Sequence, residues 1–322
     1  MSTKIRMALV VNLLSLLFST VIIHFNQNTV PLRSFKISEN VTYDCIDIYK
    51  QPGLQHPFLK THKIQKSSVS RPELKMQTGK NETSNKRKIV CPNDTVPILR
   101  NTKEYVTNSQ MFAEKHFHPL SADSPGTHIA GVRSSVGPFR GVQAWFSGNS
   151  LNVGKDQVSY SHIYIGSGSE NQVNYISAGW IINPGLYGDQ RVWTFGFWKG
   201  KDGKGCYNTA CSGFVQVSKV IPIVEPYDLK TGVPGWMRYS IHQDKNTGNW
   251  WITQLMKDAP NEDIGYWPKE LFNLLDNGAN MVGVGDSDKC YGLRIGTVKP
   301  FHRTHLGFFF NYGGPGGISC GV

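Results

Sequence analysis

From His128 onward the chain is a succession of short β-branched and aromatic runs, broken at close intervals by Gly, Asn, Asp or Pro. The runs fall at 141–146, 158–165, 173–182, 191–198, 213–223, 237–242 and 249–255. Side-chain character alternates along Ser159-Tyr-Ser-His-Ile-Tyr-Ile165 and Trp193-Thr-Phe-Gly-Phe197. Period-two alternation in such short segments is the pattern of antiparallel strands in a sandwich or barrel. This region is therefore expected to be all-β. One helix is expected at 268–277, with Pro268 in its first turn and Gly278 just past its end.

The preceding stretch differs. Residues 24–120 are polar and carry 15 Lys/Arg against 8 Asp/Glu, most of the formal +11 of the 322-residue chain. They hold an apolar patch at 45–64 and a short run near 90–99, which fits a small module with a long exposed loop. That loop contains Asn85-Lys-Arg-Lys88, read either as a processing site for a basic-specific protease or as a solvated charge cluster. Releasing the segment would need a second cut, for which 119–126 (PLSADSPG) is the candidate.

Lys4 and Arg6 precede an apolar run at 7–23, which reads as a secretory signal peptide, with an uncleaved signal anchor as the alternative. A membrane enters only in the second case. Asn40, Asn81 and Asn93 each begin an Asn-x-Thr sequon, and all three precede residue 100. The six cysteines are too sparse for a disulfide-stapled miniprotein but even in number. Their order and spacing suggest Cys45 with Cys91, Cys206 with Cys211 and Cys290 with Cys320, one of 15 possible connectivities. A secretory address also removes nucleic acid as the meaning of the basic charge.

No metal or cofactor is expected. There is no CxxC or HExxH, and His162, His242, His302 and His305 lie apart. GxSxG is absent too, and single Asp and Glu residues cannot be paired across a cleft from sequence alone. All eight tryptophans fall after residue 140. Trp180, Trp193, Trp198, Trp250 and Trp251 are read as platforms of a groove for a polysaccharide or a Pro-rich peptide, or else as sandwich core.

Longer strings carry a resemblance. Asp44-Cys-Ile-Asp-Ile-Tyr-Lys-Gln-Pro52, His56-Pro57, Thr61-His-Lys-Ile-Gln65, Cys91-Pro92 and Pro97-Ile98 resemble the activation peptide of the plant neprosin family. Gly179-Trp180, Asn183-Pro184, Leu186-Tyr-Gly-Asp189, Gly205-Cys-Tyr-Asn208 and Cys211-Ser-Gly-Phe-Val215 resemble its catalytic domain. So do Gly248-Asn-Trp-Trp251, Ile264-Gly-Tyr-Trp-Pro268, Cys290-Tyr291 and Tyr312-Gly-Gly-Pro-Gly316 with Cys320. The resemblance runs over about residues 44–322 and implies a leader at 1–23, an inhibitory pro-segment at 24–125 and an antiparallel, jelly-roll-like β-sandwich at 126–322. It also implies secretion to the extracellular space, cell wall or vacuolar lumen. The implied activity is that of a glutamic endopeptidase cutting after proline. One Glu activates a water while a second donates a proton or stabilises the oxyanion, their pKa values split by proximity.

The sequence departs from that pattern at both carboxylates. Ser177 in Ile176-Ser-Ala-Gly-Trp180 stands where the resemblance places the first Glu, and Asp286 or Ser287 where it places the second. A family strand is also missing between Asp288 and Cys290, and a faulty gene model there would not return a Glu to position 177. The expectation is a prolyl endopeptidase fold with activity lost or reduced. The alternative is a non-catalytic module that binds Pro-rich cell-wall proteins or glycans.

Overall fold

The alternating runs form antiparallel sheets that share one hydrophobic core, in a computed structural model that describes residues 29–70, 89–116, 132–148, 150–169, 172–227, 229, 235–256, 260–284, 294–295 and 310–311. The N-terminal part supplies a three-stranded sheet, β1 (Arg33–Ser38), β2 (Val41–Asp47) and β3 (Thr95–Leu99), and helix α1 (Lys103–Glu114). Next come β4 (Val132–Ser134), β5 (Gly141–Gly148), β6 (Ser159–Ser169), β7 (Gln172–Ile182), the short α2 (Pro184–Tyr187) and β8 (Val192–Lys199). β9 (Gly205–Tyr207), β10 (Val215–Gln216), β11 (Pro226–Tyr227), β12 (Gly235–Gln243) and β13 (Trp250–Gln254) follow. β14 (Glu262–Trp267) and β15 (Met281–Val284) complete the sandwich, and β16 (Arg294–Ile295) pairs separately with β17 (Phe310–Asn311).

One sheet runs β11-β8-β7-β6-β15-β4, with β9 also on β8; the other runs β10-β14-β13-β12-β5. Every described pairing between these strands is antiparallel. The architecture is the all-β sandwich the sequence implies. The sheets meet through the even-numbered side chains of β7 and β8: a Cβ at Gly148 would lie 3.8 Å from Trp180 Nε1, and one at Gly196 only 2.9 Å from the Trp267 ring. Bulky indoles are thus seated opposite glycines on the facing strands.

The N-terminal part shares this core. Tyr43, Cys45, Leu59, Ile89, Cys91, Leu99 and Tyr105 belong to the same buried cluster as Trp180, Trp198 and Trp250. Tyr43 Oη donates to Val224 O (2.7 Å), and Gly213 N donates to Gly53 O (2.8 Å). Gln51 donates to Gln216 O (3.0 Å) and accepts from Gln216 N (2.7 Å), so its side chain completes a broken ladder.

Three local expectations are corrected. Residues 268–277 do not form a helix; a single 3-10 turn at Lys269–Leu271 ends at Phe272, which is extended (φ −119°, ψ 161°). Tertiary partners take over that backbone: Asn174 Oδ1 accepts from Asn273 N and Leu274 N (2.8 Å each), while Gln243 Nε2 donates to Leu275 O and Asp276 O (3.0 Å each). The run at 213–223 yields only the two residues of β10, because the Gln216 side chain caps the following loop by bonding Ser218 O, Ile221 O and Ile223 N. Helix α1 was not expected, although Thr102 caps it by accepting from Tyr105 N and Glu104 lies in its first turn.

Candidate functional site

Ser177 sits near the middle of β7, and its surroundings follow from register. It pairs with Tyr164 on β6 and Phe197 on β8. Tyr164 pairs onward with Gly283 on β15 and Gly283 with Arg133 on β4, while Phe197 pairs with Tyr207 on β9. Directly opposed residues share a face, so Arg133, Gly283, Tyr164, Ser177, Phe197 and Tyr207 form one row across the outer face of the larger sheet. Neighbouring rows add His162 and Phe195 beside Gly179, and Gly166 and Lys199 beside Tyr175. Among the described strand residues of this face there is no Asp or Glu.

The floor is buried and aromatic. Ser177 is fully buried, and its side chain meets the Tyr175 hydroxyl. The Tyr175 hydroxyl lies 3.3 Å from His162 Nε2. Burial, reinforced by neighbouring tyrosines, raises the Tyr175 pKa well above its ordinary value. Burial also pushes the His162 imidazole down to about 3, which keeps it neutral and makes it a poor proton acceptor. His162 is paired with Gly179, not with Ser177. Among the described strand residues of this face, none is a base arranged to take the Ser177 proton.

The N-terminal segment roofs this face. Helix α1 packs on β9 and α2, with Tyr105 Oη accepting from Asn208 Nδ2 (2.9 Å) and Asn108 Nδ2 donating to Gly185 O (2.8 Å). Just past the helix, the His116 ring stacks on Phe197 with centroids 3.8 Å apart and meets Tyr207 edge-on at 5.3 Å. His116 Nδ1 is hydrogen-bonded to Tyr207 Oη. An aromatic ring from the N-terminal segment thus lies over the row that contains Ser177.

A second contact lies on the opposite side, where residues 62–70 cross the outer face of the five-stranded sheet. Tyr266 Oη contacts His62 Nε2 (2.8 Å) and accepts from Gln65 N (3.0 Å), while Glu270 contacts His62 Nδ1 (3.3 Å). Asp244 accepts from Val69 N (2.8 Å), and Asp263 accepts from Ser68 N (3.1 Å). Burial disfavours the Asp244 carboxylate, but the amides of Val69, Thr247 and Asn246 outweigh it and hold the pKa below the usual value. The hydrogen bond from His62 does the same for Glu270 against a smaller burial effect. Carboxylates with depressed folded-state pKa values stabilise fully above about pH 4, their unfolded range, and lose that contribution as pH falls through the depressed values. Residues 62–70 are therefore expected to resist proteolysis equally at pH 7 and 5, and to become susceptible to pepsin only below about pH 4.

A family model described as Neprosin matches residues 155–286, and one described as Neprosin activation peptide matches residues 34–126. The chain belongs to the neprosin family. Its activation-peptide domain comprises the three-stranded sheet, the crossing at 62–70 and helix α1, and it is an intramolecular pro-segment packed on the neprosin sandwich.

Within this neprosin-family chain, each candidate from the sequence has a definite place. Ser177 lies in the row described above, and Asp286 falls outside the described residues. The five groove tryptophans are all buried. Trp180, Trp198 and Trp250 lie in the shared core; Trp193 stacks on Tyr187 at 4.4 Å; Trp251 lies beneath residues 62–70, its Nε1 donating to Gln65 Oε1 (3.3 Å). Cys45–Cys91 and Cys206–Cys211 form disulfides, whereas Cys290 and Cys320 fall outside the described residues. Asn40 and Asn93 are exposed. Asn81, the leader, residues 85–88 and residues 119–126 also lie outside the described set.

Sequence reading passed over the residues that build the face around Ser177: Tyr160, Tyr164, Tyr175, Phe195, Phe197 and Tyr207. A signal was present, since the tyrosines of 159–165 occupy alternate positions and must share a face. Nothing in the sequence marks His116 as the ring that meets them.

Proposed function

We propose that this is a secreted, prolyl-endopeptidase-like member of the neprosin family in which peptide hydrolysis has been lost. The observation that carries this reading is the row through Ser177. The family's chemistry needs one carboxylate to activate water and a second to manage the proton or the oxyanion. Here a buried serine stands at the first position, and no described strand residue of that face supplies a carboxylate. Asp286 is the remaining candidate for the second role, one methylene shorter than Glu, and a misplacement of about 1 Å costs on the order of a hundredfold in rate. The two disulfides fit an oxidising, extracellular destination. The proposed organisation is a leader at 1–23, a pro-segment at 24–125 and the sandwich at 126–322, with glycans on the exposed Asn40 and Asn93.

A second reading has its own support. The stacking of His116 on Phe197 supports it, with a ring set against the aromatic side chains of this face. Once uncovered, it would suit the rings of a Pro-rich wall protein or a cell-wall glycan, held without turnover. Titration calorimetry on protein cut between α1 and β4 and separated from its N-terminal chain tests this. Heat with Pro-rich peptides or wall oligosaccharides, and intact ligand afterwards, is the expected result; no heat with either class ends the binding reading.

A further inference from the structure

The side chains that hold residues 62–70 are each divided between two tasks. Asp244 Oδ1 serves its own turn, accepting from Asn246 N (3.1 Å) and Thr247 N (3.0 Å). Its Oδ2 serves the crossing segment, accepting from Val69 N (2.8 Å) and Ser68 Oγ (3.1 Å). Asp263 repeats the division, with Oδ1 accepting from Thr253 Oγ1 (2.9 Å) and Oδ2 from Ser68 N (3.1 Å). Asn249 Oδ1 accepts from Lys269 N (3.1 Å), while Nδ2 donates to Gln65 Oε1 (2.9 Å). His242 sets Nδ1 against Ser240 Oγ (3.4 Å) and Nε2 against Ser68 Oγ (3.0 Å). Ser68 has one hydroxyl proton, which goes to Asp244, so Ser68 accepts from the Nε2–H of His242.

In all four cases the sandwich orients the side chain through one atom and presents the other. That is how a recognition site is built: contact atoms fixed beforehand by supporting hydrogen bonds. The segment contributes no strand to the sheet. It is read through side chains, by its Gln65, the backbone N–H and hydroxyl of Ser68, and the N–H of Val69. With the segment in place Asp244 (0% exposed), Asp263 (5%) and His242 (6%) are buried, so its contacts replace those that water would make at this face.

We propose that the outer face of the five-stranded sheet is a preorganised binding site for an extended peptide carrying Gln and, three residues on, Ser, and that its resident ligand is residues 62–70 of this chain. This gives the pro-segment a hold remote from the Ser177 face. A cut between α1 and β4 would therefore leave the segment held on the back of the sandwich. The inference stands whether or not the Ser177 face hydrolyses anything.

Amide hydrogen exchange on the full chain tests the site. Gln65, Ser68 and Val69 are expected to exchange at least about tenfold more slowly than in a free peptide of residues 61–70. Asp244→Asn with Asp263→Asn, which turns a presented acceptor into a donor on each side chain, removes that protection and leaves β2 and β3 protected. Should the double variant lose protection everywhere, Ser68→Ala and Val69→Pro decide, since they alter only the ligand: local loss at 62–70 supports the site. After cleavage at an engineered protease site between α1 and β4, the N-terminal chain co-elutes with the sandwich and leaves at least about tenfold faster from the Ser68→Ala, Val69→Pro form. Free-peptide exchange rates in the unaltered chain, or protection and retention unchanged in the variants, overturn the proposal.

Discussion

Replacing Ser177 by Glu is expected to leave the protein without hydrolytic activity and to destabilise it by about 3–5 kcal/mol at neutral pH. Ser177 is fully buried among Tyr164, Tyr175 and Phe197, under a face roofed by His116. A carboxylate there is desolvated, so its folded-state pKa rises above the ordinary value of about 4.3. The neutral acid is tolerated better than the anion. The penalty is therefore least below about pH 4 and grows as pH rises toward the elevated folded pKa, the opposite sign to that expected of Asp244. Urea unfolding at pH 4 and pH 7 measures the difference. Equal destabilisation at both values would mean that the new carboxyl reaches water, contradicting the covered, buried face. Activity stays absent because Asp286, the remaining candidate for the second role, is one methylene shorter than Glu, and a misplacement of about 1 Å costs on the order of a hundredfold in rate.

A Gly179→Ala substitution is expected to be as damaging, through a different cause. A Cβ at this position would lie 2.0 Å from Ser161 O and 2.7 Å from His162 Cα, both backbone atoms of the adjacent strand β6. Backbone in the middle of a sheet cannot step aside, so β6 and β7 must separate where Gly179 and His162 are paired, two residues along from Ser177 and Tyr164. A loss of about 4 kcal/mol or more follows, a large part of a typical domain's stability. Thermal unfolding checks it. Near-native stability would mean that β6 and β7 do not pack in this register.

The strands were legible because alternation is a local property. The runs at 141–146, 173–182 and 249–255 reappear as β5, β7 and β13 with small shifts at their ends. The pairing of Cys45 with Cys91 and of Cys206 with Cys211 was legible from order and spacing. What escaped depended on partners distant in sequence. Residues 268–277 have helical end signals, yet Asn174 and Gln243, from β7 and β12, satisfy their backbone in a series of bends and turns. The tryptophans could not be divided between core and groove, because Trp250 and Trp251, one residue apart, point to opposite faces of β13 and join different clusters. Ser177 was legible as a departure only through the family resemblance. Its burial, and the absence of a described carboxylate on its face, needed the register of the strands around it. The hold on residues 62–70 was invisible for the same reason, since Ser68 and Asp244 are separated by 176 positions.

The most direct measurement of the central claim is turnover. The protein, cut between α1 and β4 and separated from its N-terminal chain to uncover the Ser177 face, is incubated with a Pro-containing peptide from pH 3 to 7 beside a family member that keeps both glutamates, and products are read by mass spectrometry. The account predicts no cleavage above the buffer blank while the relative cuts after proline. Cleavage after proline by this protein, abolished by Asp286→Asn, would contradict it.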